Sequence, residues 1–270
     1  MTLAGVRATW KSYLMILFLE RLPLIESIGW SVVFAGIGVV LFAGVVRGFT
    51  GFGYSAISIA LLSFLIDPVL VVPLVLMMEV AASAWMLQAV WNDCDFKWLG
   101  WTLFGMVIGT PIGVWALSFL PADSTKILLY TTLAVLALAG FAQNRELIPK
   151  LVAPIAVVGL LAGIGNGLAG VAGMIAALFM ISANMKGESV RASMVLLFFF
   201  ADIYALIWAG WFGLLEWRQI QLLAIFLIPL FVSISIGSWG FRKYGAGNYK
   251  NIALGLIFSI AILGLSQLIF

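Results

Sequence analysis

Long apolar runs recur from one end of this sequence to the other, and they limit the possible folds more than any other feature. A helix that crosses a membrane needs about 20 apolar residues, whereas a barrel strand needs about 10 with alternating polarity. The runs here match the helical length. Of the 270 residues, 64% are hydrophobic and only 9% are charged, against about 25% charged in soluble domains. We therefore predict an all-α, multi-pass membrane protein. Soluble enzymes, secreted factors and nucleic-acid-binding proteins are excluded.

Ten apolar segments predict about eight to ten transmembrane helices. They are approximately Ser27–Val46, Phe52–Ile66, Val69–Trp91, Trp98–Leu120, Ile127–Phe141, Leu151–Ile164, Val171–Ala183, Val190–Phe212, Ile220–Trp239 and Asn251–Phe270. Residues 1–26 contain a shorter, more charged stretch and are predicted to form an N-terminal interfacial segment. The longest polar stretches, Gln143–Lys150 and Arg242–Asn251, are predicted to be loops.

The chain repeats itself around two glycine clusters, which lie between apolar segments at Arg47–Gly53 and Asn166–Gly173. Duplicated membrane halves are typical of secondary transporters. We predict a first repeat at 27–145 and a second at 146–270, with glycine-broken helices at their interface. Five segments per half would make the repeats inverted, which we favour, and four would make them parallel. The pair Ser27–Ile66 is long enough for two crossings, whereas the pair around the second cluster is short enough to form half-helices.

The glycine clusters are candidate anion-binding sites. Gly, Thr and Asn let a helix unwind at membrane depth where the backbone is buried or lines a wet cavity. Free amides and helix N-termini then bind anions. The candidate binding residues are Arg47, Gly48, Thr50, Gly51 and Gly53 in the first cluster, and Gly165, Asn166, Gly167, Gly170 and Gly173 in the second. Close packing of helices through small residues is the alternative explanation.

Three polar side chains are candidates to hold the anion directly. The forked guanidinium of Arg47 matches a sulfonate or carboxylate, although an arginine in a loop at the membrane face is the alternative. Asn166 has the matching place in the second half and can donate an amide proton. Ser83 shares a helical face with Glu79 and can hydrogen-bond a ligand.

Glu79 and Asp202 lie near the middle of two apolar segments, at nearly related positions of the two halves. An ionised carboxylate at that depth costs several kcal/mol unless it is protonated, paired or in contact with water. Two such groups indicate proton coupling, because a carboxyl group can take up and release a proton during transport. The alternative for each is a neutral, hydrogen-bonded packing residue.

No catalytic motif or metal-binding cluster is present in the sequence. There is no histidine, and Cys94 is the one cysteine, so haem, the usual zinc sites and an internal disulfide are excluded. We expect no enzymatic activity, no cofactor and no metal. The expected partners are a small anionic substrate, protons and the lipid bilayer, with no nucleic acid, and a homodimer stays open.

Several stretches resemble one known family: Gly44–Gly53, Val72–Glu79, Gly109–Gly113, Gly163–Gly173, and Arg191-Ala192 followed by Asp202. From about Gly29 to Ile269 the chain resembles the sulfite exporter TauE/SafE family, also called the toluene sulfonate uptake permeases. The resemblance implies export or uptake of small sulfur-containing anions, such as sulfite, sulfoacetate or other organosulfonates. We expect a multi-pass protein of the cell (inner or plasma) membrane.

A proton-coupled secondary transporter of such anions is therefore the expected function. Two alternatives stay open. A membrane partner or assembly protein without transport would explain the hydrophobicity, but not the matched helix breaks and carboxyl groups. A passive anion channel would place Glu79 where it repels the permeant ion.

Overall fold

The structure is a computed structural model. It describes residues 29–121, 154–170, 172–182 and 185–269, and the single helical positions Ser124, Ile127, Thr131 and Val135. The predicted interfacial segment 1–26, most of the predicted fifth segment and the polar stretch 143–150 lie outside the described residues. The packing reported below lies within one compact unit, Val39–Phe270.

The described part of the chain consists of helices and short connections. The helices are α1 (Trp30–Thr50), α2 (Tyr54–Leu62), α3 (Pro68–Val90), α4 (Phe96–Phe119), α5 (Ile155–Ala169), α6 (Ala172–Ser182), α7 (Gly187–Trp211) and α8 (Trp217–Ile269), with a 3-10 turn at Trp91–Asp93. Among the described residues, five stretches are long and apolar enough to cross a membrane: Trp30–Thr50, Pro68–Asp93, Phe96–Phe119, Gly187–Trp211 and Trp217–Tyr244. The predicted all-α membrane class is confirmed for these residues. The inverted arrangement of two repeats stays a prediction.

The second segment of the first half is too short to cross a membrane, which corrects the prediction of two crossings over Ser27–Ile66. Helix α2 has 9 residues, or about 14 Å, against a hydrocarbon core of about 30 Å. After Leu62 the chain turns, with the amides of Leu65 and Ile66 bonded to the Leu62 carbonyl oxygen. Asp67 is then extended, with φ −56° and ψ 129°, as favoured before Pro68, which begins α3. Helix α6, with 11 residues, has the half-length expected around the second cluster.

The polar stretch Arg242–Asn251 is helical, so the prediction of a loop there is wrong. It lies inside α8, a continuous helix of 53 residues that joins the predicted ninth and tenth segments. The stretch contains no proline, and its two glycines weaken a helix without ending it. Since 53 residues extend about 80 Å, α8 is longer than a membrane is thick.

Two aspartates start the long helices of the first half. The Asp67 side chain accepts a hydrogen bond from the Val69 amide at 2.9 Å, at the start of α3. The Asp95 side chain accepts one from the Trp98 amide at 2.9 Å, at the start of α4. Each carboxylate satisfies an amide that has no partner within the helix. These caps set where α3, the helix that carries Glu79, and α4 begin.

Glycines allow α4 and α5 to pack backbone against backbone. A Cβ atom added to Gly105, Gly109 or Gly113 of α4 would lie 2.0 to 2.2 Å from a carbonyl oxygen of α5. Helices α1 and α8 pack in the same way, since a Cβ on Gly48 would lie 2.2 Å from the carbonyl oxygen of Ile234. Small residues permit such contacts between membrane helices. Both contacts hold the broken helices, α1 and α5, against a long neighbour.

We predict that Gly109→Ala destabilises the protein by about 1–3 kcal/mol, because the added methyl group would overpack the contact with α5. Gly100→Ala is the matched control on the same helix, since a Cβ there meets nothing within 4 Å. The control should keep or slightly raise the midpoint of thermal unfolding, because alanine favours helix over glycine. Scanning fluorimetry in detergent measures both, and equal midpoints would contradict the packing described.

Candidate functional site

Two breaks interrupt helices where the sequence has its glycine clusters. Between α1 and α2, Gly51 and Gly53 have φ of 82° and 87°. Between α5 and α6, Gly170 has φ of 62°. Glycine adopts these left-handed values without the steric cost that a side chain would add. Both clusters therefore end one helix and begin another, as predicted from their composition.

The first break is held by its own threonine. The Thr50 hydroxyl lies 2.9 Å from the Val46 carbonyl oxygen and 2.8 Å from the Phe52 carbonyl oxygen, and it accepts a hydrogen bond from the Phe52 amide at 3.2 Å. The hydroxyl thus satisfies backbone groups that the helix leaves behind. Gly53 then forms the N-cap of α2.

Arg47 is fully buried near the end of α1, so it is not an arginine in a surface loop. Its guanidinium donates hydrogen bonds to the carbonyl oxygen of Gly51 and, at 2.7 Å, to the hydroxyl of Ser83. One guanidinium nitrogen lies 3.7 Å from a carboxylate oxygen of Glu79. The guanidinium also lies 4.3 Å from the centre of the Phe198 ring, within range of a cation–π contact.

The second half contributes a neutral amide and a carboxyl group. The Asn166 side chain donates a hydrogen bond of 2.8 Å to Asp202, and both residues are fully buried. The Asp202 carboxyl group interacts electrostatically with Glu79 and Arg47. The structure therefore brings together the predicted residues Arg47, Ser83, Glu79, Asn166 and Asp202.

The same spacing relates the two halves of this cluster. Arg47 and Ser83 are hydrogen-bonded across 36 positions, and so are Asn166 and Asp202. A shift of 119 positions converts the first pair into the second. The sequence placed Asp202 within one helical turn of the position matching Glu79. The contacts make Ser83 the match of Asp202, and they make Phe198 the match of Glu79.

Several acceptor atoms in the cluster have no hydrogen-bond donor among the described residues. They are both carboxylate oxygens of Glu79, the Oδ2 atom of Asp202 and the Oδ1 atom of Asn166. Buried acceptors are usually satisfied, because leaving them without a partner costs free energy. The cluster thus has more hydrogen-bond acceptors than donors. A proton added to one of the carboxyl groups would supply a further donor.

The remaining predicted glycines lie in close contacts around the cluster. A Cβ on Gly167 would meet the backbone of α4, and one on Gly173 would lie 2.2 Å from the Phe198 ring. A Cβ on Gly170 would meet the side chains of Ile59 and Ser55. Gly48 packs against α8 as described, and Gly165 is buried. These positions let the helices approach, and their predicted contact with an anion stays a prediction.

Sequence reasoning assigned no role to Arg191 or Phe198. Arg191 donates to the Gly48 carbonyl oxygen at 2.8 and 3.2 Å and to Ser238 at 3.0 Å. Its backbone also packs against Gly51. Arg191 therefore clamps the first break from α7. Its burial beside the glycine cluster was not visible in sequence, whereas the spacing of 119 residues could have indicated Phe198 as the position that matches Glu79.

One comparison with known proteins gives a match. A family model described as sulfite exporter TauE/SafE matches residues 35–264. The match spans both helix breaks and both buried carboxyl groups. No curated protein and no solved structure matches the chain.

We predict that Gly51→Ala lowers the midpoint of thermal unfolding more than Gly213→Ala does. Both glycines have positive φ, 82° and 70°, so an alanine at either costs about 1–2 kcal/mol. Only at Gly51 would the new Cβ press on the backbone of Arg191, at 2.8 Å from its carbonyl oxygen. Scanning fluorimetry of the purified variants tests this, and equal losses would show that Arg191 does not clamp the break.

Proposed function

Because the chain belongs to the sulfite exporter TauE/SafE family, a family of membrane transporters, we propose that it is a secondary transporter of small sulfur-containing anions. The substrates are sulfite, sulfoacetate or other organosulfonates, and transport across the cell (inner or plasma) membrane is coupled to protons. The observation that carries this proposal is the fully buried guanidinium of Arg47 beside a broken helix.

Arg47 supports an oxyanion as the substrate. Its fork of N–H donors matches two oxygens of a sulfite or sulfonate group. The guanidinium is delocalised and weakly hydrated, so it loses less than an ammonium group when water is removed. Ser83, 2.7 Å from a guanidinium nitrogen, supplies a hydroxyl next to the same position. A broken helix adds amides and the positive end of a helix dipole.

The two buried carboxyl groups support proton coupling. Glu79 comes from α3 in the first half and Asp202 from α7 in the second, and both are fully buried. Ionisable groups inside a membrane protein commonly mark ion or proton pathways, because their burial is otherwise too costly. The two groups interact with each other and with Arg47, so the protonation of either group affects the anion site.

We predict that sulfite or an organosulfonate evokes transport in proteoliposomes, and that Arg47→Gln and Glu79→Gln lose it by at least about tenfold, or ~1.4 kcal/mol. Arg47→Gln removes the positive charge that binds the anion, and Glu79→Gln removes the carboxyl group that carries the proton. Currents on a solid-supported membrane and an internal pH dye are read together, because electroneutral transport gives no current. Sulfite, sulfoacetate, taurine, sulfate and acetate are added in turn.

The matched control for this experiment is Asp93→Asn, which neutralises an exposed carboxylate and should leave transport unchanged. Size-exclusion chromatography and thermal unfolding verify that each variant is folded. Folded wild-type protein that gives neither a current nor a pH change with any anion would favour the membrane-partner function. A larger steady conductance in Glu79→Gln would favour a channel.

A further inference from the structure

Arg47 already has a set of buried partners in this structure, and an anion that binds the guanidinium competes with them. The guanidinium contacts the Gly51 carbonyl oxygen, the Ser83 hydroxyl, a Glu79 oxygen and the Phe198 ring. All of these residues are buried.

Glu79 is the partner that an anion replaces most readily. Its carboxylate has the same charge as the incoming anion, whereas the Gly51 carbonyl, the Ser83 hydroxyl and the Phe198 ring are neutral. The contact is also long, at 3.7 Å, and Arg47 makes no direct hydrogen bond to either Glu79 oxygen. The side chain and amide of Ser55 on α2 also act on Glu79, and both are neutral. A substrate oxyanion that forms two direct hydrogen bonds to the guanidinium would therefore gain contacts that Glu79 does not make.

Asp202 is a neighbour of Glu79 and offers it a second partner. One oxygen of Asp202 accepts the amide of Asn166 at 2.8 Å, and the other has no donor among the described residues. Two ionised carboxylates repel each other, but a protonated Glu79 can donate its O–H to the free oxygen of Asp202. The exchange thus takes up one proton, which forms an O–H bond on Glu79. The Arg47–Glu79 contact is replaced by contacts of Arg47 with the anion and of Glu79 with Asp202, and no other covalent bond forms or breaks.

The charge of the cluster is the same before and after this exchange. With Arg47 charged and both carboxyl groups ionised, the cluster has one net negative charge. A bound monovalent anion together with one proton on Glu79 leaves that charge unchanged, whereas the anion alone would add a second buried negative charge. Buried uncompensated charges are strongly unfavourable, so the anion and the proton are favoured to bind as a pair.

The ionisable groups that act on Glu79 come from three helices. They are Arg47 on α1, Tyr54 on α2 and Asp202 on α7. Helix α5 contributes the uncharged Asn166, and among the described side chains of α8 no charged one acts on Glu79. Tyr54 is buried and close to Met78, and its neutral phenol does not change the net charge of the cluster.

We propose that Glu79 is an internal competitor for the guanidinium of Arg47, displaced when Glu79 takes up a proton and turns to Asp202. This proposal rests on the proposed transport of sulfur-containing anions and adds how anion binding is coupled to proton binding. One anion and one proton bind together and cross the membrane in the same direction. In the empty site Arg47 pairs with Glu79, and in the loaded site it pairs with the anion.

Binding of methanesulfonate to the purified full chain tests the competition, because this probe is a monovalent anion at every pH used. Isothermal titration is run at pH 6, 7 and 8 in two sulfonate-free buffers that differ in ionisation enthalpy, which reports the protons taken up. For the wild type we expect uptake of one proton and, above the pH where Glu79 ionises, an affinity that falls about tenfold per pH unit. Asp93→Asn should behave as the wild type.

Glu79→Gln imitates the protonated competitor. We expect it to bind methanesulfonate at least as tightly as the wild type does at pH 6, with no pH dependence and no proton uptake. In proteoliposomes it should still exchange labelled for unlabelled methanesulfonate, but it should not accumulate the anion in response to a pH gradient. A variant that merely lost its fold would fail in both exchange and binding.

Other outcomes would overturn the competition. Weaker binding by folded Glu79→Gln would make Glu79 part of the anion site instead of its rival. A wild-type affinity that is independent of pH, or that depends on the Na⁺ concentration instead, would show that no proton takes part in the exchange. Binding in which Glu79→Gln keeps the wild-type pH dependence would contradict the role of Glu79 but leave anion transport intact. No binding by any folded variant would overturn both the competition and the proposed function.

Discussion

A single buried cation organises the centre of this protein. A guanidinium inside a membrane must be paired and hydrogen-bonded, since the apolar surroundings offer no solvation. The partners of Arg47 come from separate parts of the chain: the helix break supplies the Gly51 carbonyl, α3 supplies Ser83 and Glu79, and α7 supplies Phe198. The position of each helix is thus tied to the position of one side chain.

Close packing makes this convergence possible. Helix α1 approaches α8 through Gly44 and Gly48, and helix α5 approaches α4 through a series of glycines. Contact between backbones brings the two broken helices to the centre without bulky side chains between them. Arg191 then binds the Gly48 carbonyl oxygen, which satisfies a backbone group near the end of α1 where the helix can no longer do so.

The cluster contains two hydrogen-bonded pairs with the same spacing but different chemistry. Matched positions hold Arg47 and Asn166, and likewise Ser83 and Asp202, with the same hydrogen-bonded spacing in each half. The matching pair of Glu79 and Phe198 places a carboxylate in one half and an aromatic ring in the other, and both contact Arg47. The residues therefore form one asymmetric polar cluster. They do not form two identical clusters with the same charged side chains in each half. The first half thus holds the cation with Ser83 and Glu79, and the second half contributes the Phe198 ring and the pair Asn166 and Asp202.

The sequence by itself determined the membrane class, the approximate positions of the long helices, the two glycine breaks and the depth of Glu79 and Asp202. These depend on the length of apolar runs and on local backbone freedom, which neighbouring residues decide. The tertiary structure decided that α2 stays short, that α8 continues through its polar stretch, and that Gly48 and Gly167 face other helices. It also decided that Arg47 lies between Glu79 and Phe198. Such contacts depend on which distant helix lies opposite. The energetic effect of a buried charge or of a missing Cβ is set by the atoms packed against it, and these come from other parts of the chain.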